Sequence, residues 1–387
     1  MGYLIGGAGE GPEQKIEAKE GHYSHLSDDE LLELHSQTIK DVTKFSNFQM
    51  VRKICLNSLY GAIGNQYFRH YKLENAEAIT LTGQVAIRWI ERKINEFVNK
   101  TLQTKEVDYV IASDTDSIYL NLGGLVDHVP SLNGLPRERV VDVLNKFCQD
   151  KIEPYIDESY KELSDYLQCY EETLVMKREC IADRGIWTAK KRYILNVWDN
   201  EGVRYEEPKL KMMGIEAVKS STPAPCRAYI KECLNIIMSG TEDDVIKFIE
   251  DKRAHFETLS PEEIAFPRSA NNISKFRDSA LLYRKGTPIH IRGSILFNHY
   301  LKQKNLENKY NLILDGEKIK YIFLRKPNPF NENVVSFISD LPREFNLNSY
   351  IDYDTMYQKS FIDPMKAILD VIGWQTEKTT TLFDFFT

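Results

Sequence analysis

The sequence lacks any run approaching the roughly 18 consecutive apolar residues that a membrane helix needs. Its start also lacks the charged-then-apolar pattern of a signal peptide. A membrane partner is therefore not expected, and a cytoplasmic location is. Cysteine is scarce and scattered: Cys55, Cys148, Cys169, Cys180, Cys226 and Cys233 never fall at the close spacings of paired zinc ligands. Reduced, buried thiols are the expectation. Positive charge is also in deficit, with 50 Lys and Arg against 57 Asp and Glu and a net charge of -7. Nucleic-acid partners need clustered cations to neutralise phosphates, so this excess of acid argues at first against one. The distribution reverses that inference. Acid concentrates around Glu153 to Glu172 and Glu242 to Glu263, whereas Lys190, Lys191, Arg192, Lys209, Lys211 and Lys219 form a local basic track.

What is present is enough for a folded protein. At 387 residues and 42% hydrophobic content, two or three compact units with a sizeable core are expected. Residues 1–25, with Gly6, Gly7, Gly9 and Gly11 among scattered charges, have no apolar period and read as a mobile lead-in outside the core. Ser27 followed by Asp28, Asp29 and Glu30 is a capping-box signature, so a long helix starts there and ends at Gly61 and Gly64. Lys53, Asn57 and Gly61 share one face of it. A second helix fits Ala76 to Lys100, with an apolar stripe through Val85, Trp89, Ile90, Ile94, Phe97 and Val98.

The texture then turns to strands. Val107 to Ala112 and Ser117 to Leu122 flank Asp114-Thr115-Asp116, which predicts a hairpin. A third helix covers Glu138 to Tyr166. Thr173 to Ile181, Ile186 to Trp198 and Val203 to Tyr205 read as further strands, the last two joined by a turn at residues 199–202. Past Lys219 helices return, one opening at Thr222-Pro223 and another at Thr241 with Asp244. The central region is thus α+β, and a mostly helical unit follows it.

Two carboxylates one residue apart at a hairpin tip, Asp114 and Asp116, are suited to one divalent cation. Oxygen-only ligands favour magnesium, which keeps several waters and is completed by substrate phosphates. An acidic turn is also an ordinary turn, because Asp bonds its own backbone. A calcium loop is excluded, since no glycine and distal Glu follow at the required spacing.

The neighbouring motifs add specificity. Lys53-Ile54-Cys55-Leu56-Asn57-Ser58-Leu59-Tyr60-Gly61, then Ser113-Asp114-Thr115-Asp116-Ser117, then Lys190-Lys191-Arg192-Tyr193 follow one another in an order that resembles family B DNA polymerases. The three are similar to that family's fingers, palm-metal and primer-contact motifs. The likeness runs from about Leu26 to the last residue and looks closest to the polymerases of T-even-like phages.

That resemblance implies a right-hand architecture. The second fingers helix falls at 26–64, the carboxyl-terminal part of an α+β palm with an antiparallel sheet at 65–214, a mostly helical thumb at 215–374, and a tail at 375–387. It implies primer-templated addition of deoxynucleoside triphosphates with two magnesium ions. Asp114 and Asp116 become catalytic metal carboxylates and Glu179 a further palm carboxylate. Lys53, Asn57, Tyr60 and Gly61 meet the incoming nucleotide, and Lys190, Lys191, Arg192, Tyr193 and Lys219 meet primer-template DNA, as does the Ser269 to Lys275 segment. Lys177 departs from the pattern, standing where close phage relatives carry an acid. In the tail, Leu382, Phe385 and Phe386 put three apolar groups on one helical turn, suited to a pocket on a sliding clamp.

The resemblance also points to what this sequence does not contain. The family's earlier palm Asp, the steric-gate Tyr, the amino-terminal exonuclease and the first fingers helix are absent. A second polypeptide carrying them is therefore expected, as in a naturally split polymerase, with an expression fragment as the rival account. The competing reading is a noncatalytic DNA-binding and clamp-tethering subunit with an inert palm.

Overall fold

The computed structural model describes residues 4–6, 23, 25–132, 134–278 and 281–378. The chain divides into two compact units. Unit 1 comprises Met1–Ala182 and Trp198–Glu206; unit 2 comprises Asp183–Val197 and Glu207–Thr387.

Unit 1 opens with a strand where the glycine-rich stretch predicts none. Leu4–Gly6 (β1) pairs antiparallel with two partners at once, Leu4 facing both Asn121 and Ala182. The expectation that residues 1–25 lie outside the folded core is corrected at these three positions. Helix α1, Asp28–Ile63, starts where the capping box places it: the Glu30 amide donates to Ser27 Oγ, and Glu30 Oε2 accepts from the Ser27 amide at 2.8 Å. Gly64 caps its end, and none of its residues is buried. Helix α2, Leu73–Leu102, buries Ile90, Ile94 and Val98 from the expected stripe, whereas Val85 is exposed.

The acidic segment forms the expected hairpin from Val110–Asp114 (β2) and Ser117–Asn121 (β3). The third helix is interrupted. Arg137–Phe147 (α3) passes through a wide π turn at Cys148–Ile152 into Glu153–Leu167 (α4). The wide turn falls where Pro154 has no N–H to donate to the ladder. Trp89 on α2 donates its indole N–H to the Ser159 carbonyl at 2.8 Å, and the Phe97 ring lies tilted against Tyr155 with centroids 4.6 Å apart. With Leu120, Leu144, Ile156 and Leu163 these contacts form the core of unit 1.

Three long strands follow: Cys180–Ala189 (β4), Arg192–Asn200 (β5) and Val203–Met213 (β6). The strand order in this sheet is β2-β3-β1-β4-β5-β6. Two expectations are corrected here. The Thr173 to Ile181 run is β-rich, yet residues 173–179 make no ladder and Leu174 and Val175 are exposed. Ile186 to Trp198 is two strands, because Lys190 and Lys191 form a turn with Lys191 at φ +60°.

Unit 2 is less purely helical than its sequence predicts. Helices Ala224–Ser239 (α5), Glu242–Phe256 (α6), Ile289–Gln303 (α7) and Asp363–Ile372 (α8) enclose a three-stranded antiparallel sheet of Phe266–Ser269 (β7), Lys318–Phe323 (β8) and Val334–Phe337 (β9). The capping box at Thr241 and Asp244 opens α6 as expected, whereas α5 begins at Ala224 with Pro223 rather than Thr222 at its cap. A core of Ile230, Leu234, Phe256, Phe297, Ile322 and Phe345 fills the space between the helices and this sheet. Among the described residues, no helix is long and apolar enough to cross a membrane.

Candidate functional site

The acidic turn is two residues long. Asp114 pairs with Ser117, leaving Thr115 and Asp116 at the tip, and Thr115 adopts the left-handed region at φ +58°. The Asp116 amide donates to the Asp114 carbonyl at 2.7 Å, Ser117 Oγ to the same carbonyl at 3.2 Å, and Thr115 Oγ1 to Asp114 Oδ1 at 3.1 Å. Backbone polarity is thus satisfied inside the turn, which presents Asp114 half-buried and Asp116 exposed. The Asp116 charge is felt below the hairpin. The Tyr160 phenol on α4 is pushed up to about 12, first by burial and then by Glu172 and Asp116.

Glu179 is held by its main chain. Its carbonyl accepts from the Glu201 amide at 2.5 Å and from Arg178 Nη1 at 3.4 Å. Beside it a buried network forms around Asp199, which takes Arg178 on Oδ1 and Arg204 on Oδ2 at 3.3 Å while accepting from the Gly202 amide at 3.0 Å. Arg178 also donates to Asn145 Oδ1 at 2.8 Å, and its amide donates to Glu153 Oε1 at 3.0 Å.

Among the described residues, no three His, Cys, Asp or Glu side chains come together as a metal cage. The structure therefore brings Asp114 and Asp116 together and does not gather Glu179 with them. The register gives the reason. Leu4 is opposite Asn121 on one side and Ala182 on the other, so β3 and β4 are level but one strand apart. Two strand spacings amount to about 10 Å. Two carboxylates on a turn suit a hard cation that completes its shell with water and phosphate oxygens. The donor set fits magnesium in kind, with water and phosphate oxygens left to complete the shell.

On α1, Lys53, Asn57, Tyr60 and Gly61 are all exposed and lie within one side of the helix. A Cβ on Gly61 would meet nothing within 4 Å, so packing inside this chain does not explain the glycine. An open groove of about 610 Å³ beside this face is bounded by Phe45, Phe48, Gln49, Arg52, Lys53, Leu56 and Asn57.

Unit 2 brings together the basic residues. Lys190 and Lys191 form the β4–β5 turn, and Tyr193 is buried behind it with its ring 6.2 Å from Trp187. Arg192 Nη2 meets Glu216 Oε2 at 2.7 Å, and Lys219 meets Glu216 Oε1 at 2.9 Å. One carboxylate therefore orients two of the expected DNA contacts. Gly214 backs the same turn, since a Cβ there would stand 2.4 Å from the Lys191 carbonyl oxygen. Neither Glu216 nor Gly214 was singled out by sequence pattern, because the Glu216 contact with Arg192 and the Gly214 approach to Lys191 each span more than twenty residues; the glycine following a long strand was the only local signal. Asn272, in the Ser269 to Lys275 segment, is left-handed at φ 61°, and the Ile273 amide after it donates to Asp315 at 2.9 Å. The tail residues Leu382, Phe385 and Phe386 lie outside the described residues.

The thiol expectation is corrected in part. Cys148, Cys180, Cys226 and Cys233 are buried, but Cys55 and Cys169 are exposed; none of the six is in a disulfide.

A model of DNA polymerase family B matches residues 31–163, a span that contains all but the first turn of α1, the whole of α2 and the acidic hairpin. The chain is 38% identical over 351 residues to the DNA-directed DNA polymerase of Escherichia phage RB69, and 36% identical over 383 residues to that of Enterobacteria phage T4. Those alignments take in 87% and 93% of this chain but 38% and 42% of the two relatives. The chain thus spans about two fifths of their length. The acidic hairpin and the helix face that carries Lys53 lie inside the matched segment, and with the likeness to two phage polymerases over most of its residues they make the chain a member of DNA polymerase family B, similar to the T-even-like phage enzymes.

Proposed function

We propose that this chain is the carboxyl-terminal part of a template-directed DNA polymerase and works with a second polypeptide that carries the remaining segments. In this reading a primer 3′-hydroxyl attacks the α-phosphate of a deoxynucleoside triphosphate and pyrophosphate leaves. Asp114 and Asp116 hold magnesium through the exposed acidic turn. The two bound ions would stabilise the attacking and leaving oxygens. Lys53 sets a positive charge against the pyrophosphate, Asn57 hydrogen-bonds it, and Tyr60 with Gly61 lines the new base pair. Glu179 contributes charge from the edge of the site. Lys190, Lys191, Arg192, Tyr193 and Lys219 hold the primer-template, mainly by its phosphates. Leu382, Phe385 and Phe386 engage a sliding clamp. The fingers helix is residues 26–64, the palm 65–214 and the thumb 215–374.

The observation that carries this reading is the acidic two-residue turn, in a chain aligned over 87% and 93% of its length with DNA-directed DNA polymerases. The test is primer extension with magnesium by this chain alone, the complementing chain alone, and both mixed. Synthesis is expected only in the mixture and is expected to disappear with Asp116→Asn. Robust synthesis by this chain alone would sink the partner requirement. Undiminished synthesis by the Asp116→Asn mixture would sink the metal assignment and favour a DNA-tethering subunit.

A further inference from the structure

Glu216 places an acid among cations that are expected to meet DNA, and the backbone holds it there from both sides. It opens a single 3-10 turn, Glu216–Val218, whose neighbours Ile215 and Ala217 are buried in the core of unit 2. The Lys219 amide closes that turn on the Glu216 carbonyl at 3.2 Å. Two residues before Glu216, Gly214 abuts the Lys191 carbonyl and so presses the segment against the β4–β5 turn.

The two carboxylate oxygens are divided between two cations. Oε2 accepts from Arg192 Nη2 at 2.7 Å, and Oε1 accepts from Lys219 Nζ at 2.9 Å. The Arg192 Nε finds no hydrogen-bond partner among the described residues, so the direction of the guanidinium is set by Glu216. Both contacts are single-pronged. Arginine has five N–H donors and lysine three, and one atom of each head is engaged here. A bidentate clasp would have closed the guanidinium fork, whereas this arrangement leaves it open to a phosphate. Stability does not account for the acid, since the Arg192, Glu216 and Lys219 side chains are 32%, 20% and 40% exposed, and ion pairs reached by water and salt contribute little.

We propose that Glu216 is a positioning residue that stays in place when primer-template DNA binds. Two cations and one carboxylate leave a net charge of +1, so Arg192 and Lys219 meet the polyanionic backbone as one oriented fork that neutralises a single phosphate. This rests on the DNA-contact reading of the two cations above and adds a residue and a charge count to it. A carboxylate pushed aside by the incoming strand would instead leave two cations to neutralise two phosphates.

Salt dependence separates these cases, because each neutralised phosphate contributes about 0.9 to the slope of log affinity against log salt. Fluorescence anisotropy on labelled primer-template DNA, from about 50 to 200 mM salt, is measured for the full chain with its complementing polypeptide. Glu216→Gln keeps the length of the side chain and removes its charge. Glu216→Asp keeps the charge and shortens the reach.

The slope is expected to steepen by about 0.9 in Glu216→Gln and to stay unchanged in Glu216→Asp. Lys219→Ala alone, and Lys219→Ala with Arg192→Ala, should lower it by the same amount of about 0.9, since either breaks the one fork. Primer extension at saturating DNA and nucleotide should slow at least about threefold in both Glu216 variants, because neither holds both cations in place. An unchanged slope in Glu216→Gln, whatever its unfolding midpoint, would overturn the proposal. So would a fall of about 1.8 in the Lys219 and Arg192 double variant, which needs no change at Glu216 and counts two phosphates. Full-rate extension by both Glu216 variants would overturn the positioning role. The expected slopes without primer extension by any preparation would sink the polymerase reading and leave the fork standing, and absence of DNA binding would overturn both.

Discussion

Gly214 sits at φ +66°, and an added Cβ would press within 2.4 Å of the Lys191 carbonyl oxygen. Relief requires the basic turn to move. Gly214→Ala is therefore expected to cost about 1–3 kcal/mol in denaturant unfolding, and to weaken DNA binding by displacing Lys190 and Lys191. The Glu216 carboxylate makes a second residue-scale expectation. It bridges Arg192 and Lys219, so these cations are oriented but half-neutralised at rest. If Lys219 meets a phosphate, Lys219→Ala should reduce the slope of log affinity against log salt by about 0.9, as measured by fluorescence anisotropy on primer-template DNA. An unchanged slope would remove Lys219 from the interface. Thiols give a third check. Burial pushes Cys148 and Cys233 up to about 12 and Cys226 up to about 11, with the Ser360 hydroxyl opposing slightly at Cys226. Raised values keep these groups as unreactive thiols at every pH below those figures. Titration with an aromatic disulfide at pH 8 should therefore report only Cys55 and Cys169 until the protein is unfolded.

At the scale of elements, the Asp199 network joins α3, α4, the β5–β6 turn and the segment leading into β4. Arg178 and Asp199 side chains are only 5% and 3% exposed, so removing one partner leaves a desolvated charge. Arg178→Met should cost about 3 kcal/mol in urea unfolding, because breaking one side of a buried pair is worse than replacing both. A loss below about 1 kcal/mol would mean that Arg204 alone satisfies Asp199. In unit 2, α7 lies against β9 so closely that a Cβ on Gly293 would stand 2.4 Å from Ser336 Oγ and 2.8 Å from its amide. Gly293→Ala should destabilise that unit by about 1–3 kcal/mol through overpacking, seen as a lowered unfolding midpoint. The same contact explains what the sequence concealed. Elements that carry local instructions were legible: Ser27 with Glu30, Thr241 with Asp244, and the alternation around Asp114. The β7–β8–β9 sheet was not, since its strands are four to six residues long and its partners lie as far apart as Phe266 and Tyr321. Likewise the chemistry of Asp114 and Asp116 was readable, but the Arg192–Glu216–Lys219 bridge arises only when β5 and the segment after β6 meet.

For the molecule as a whole, the chain carries an acidic hairpin, a 36-residue helix with no buried residue and a β-rich segment at residues 173–179 that joins no described strand ladder. The helix leaves large apolar side chains such as Leu32, Val42, Phe45 and Leu56 exposed, and exposed apolar surface of that extent marks an interaction site. The whole-chain expectation is that the complementing polypeptide raises the thermal midpoint of this chain in a concentration-dependent way, as any ligand of the native state does. Calorimetry of the mixture checks it; an unchanged midpoint at saturating partner would contradict it.

The three residues of β1 bear on this more than their number implies. Because β1 runs antiparallel to both neighbours, β3 and β4 run parallel, and the long α3–α4 crossover between Asn121 and Cys180 is the connection such a pair requires. Sliding any strand in that lane by one residue would carry its side chains about 3.3 Å along the sheet. Metal–oxygen distances tolerate only about 0.2 Å. The pairing of three residues in the lane between β3 and β4 therefore fixes how far the start of β4 stands from β3.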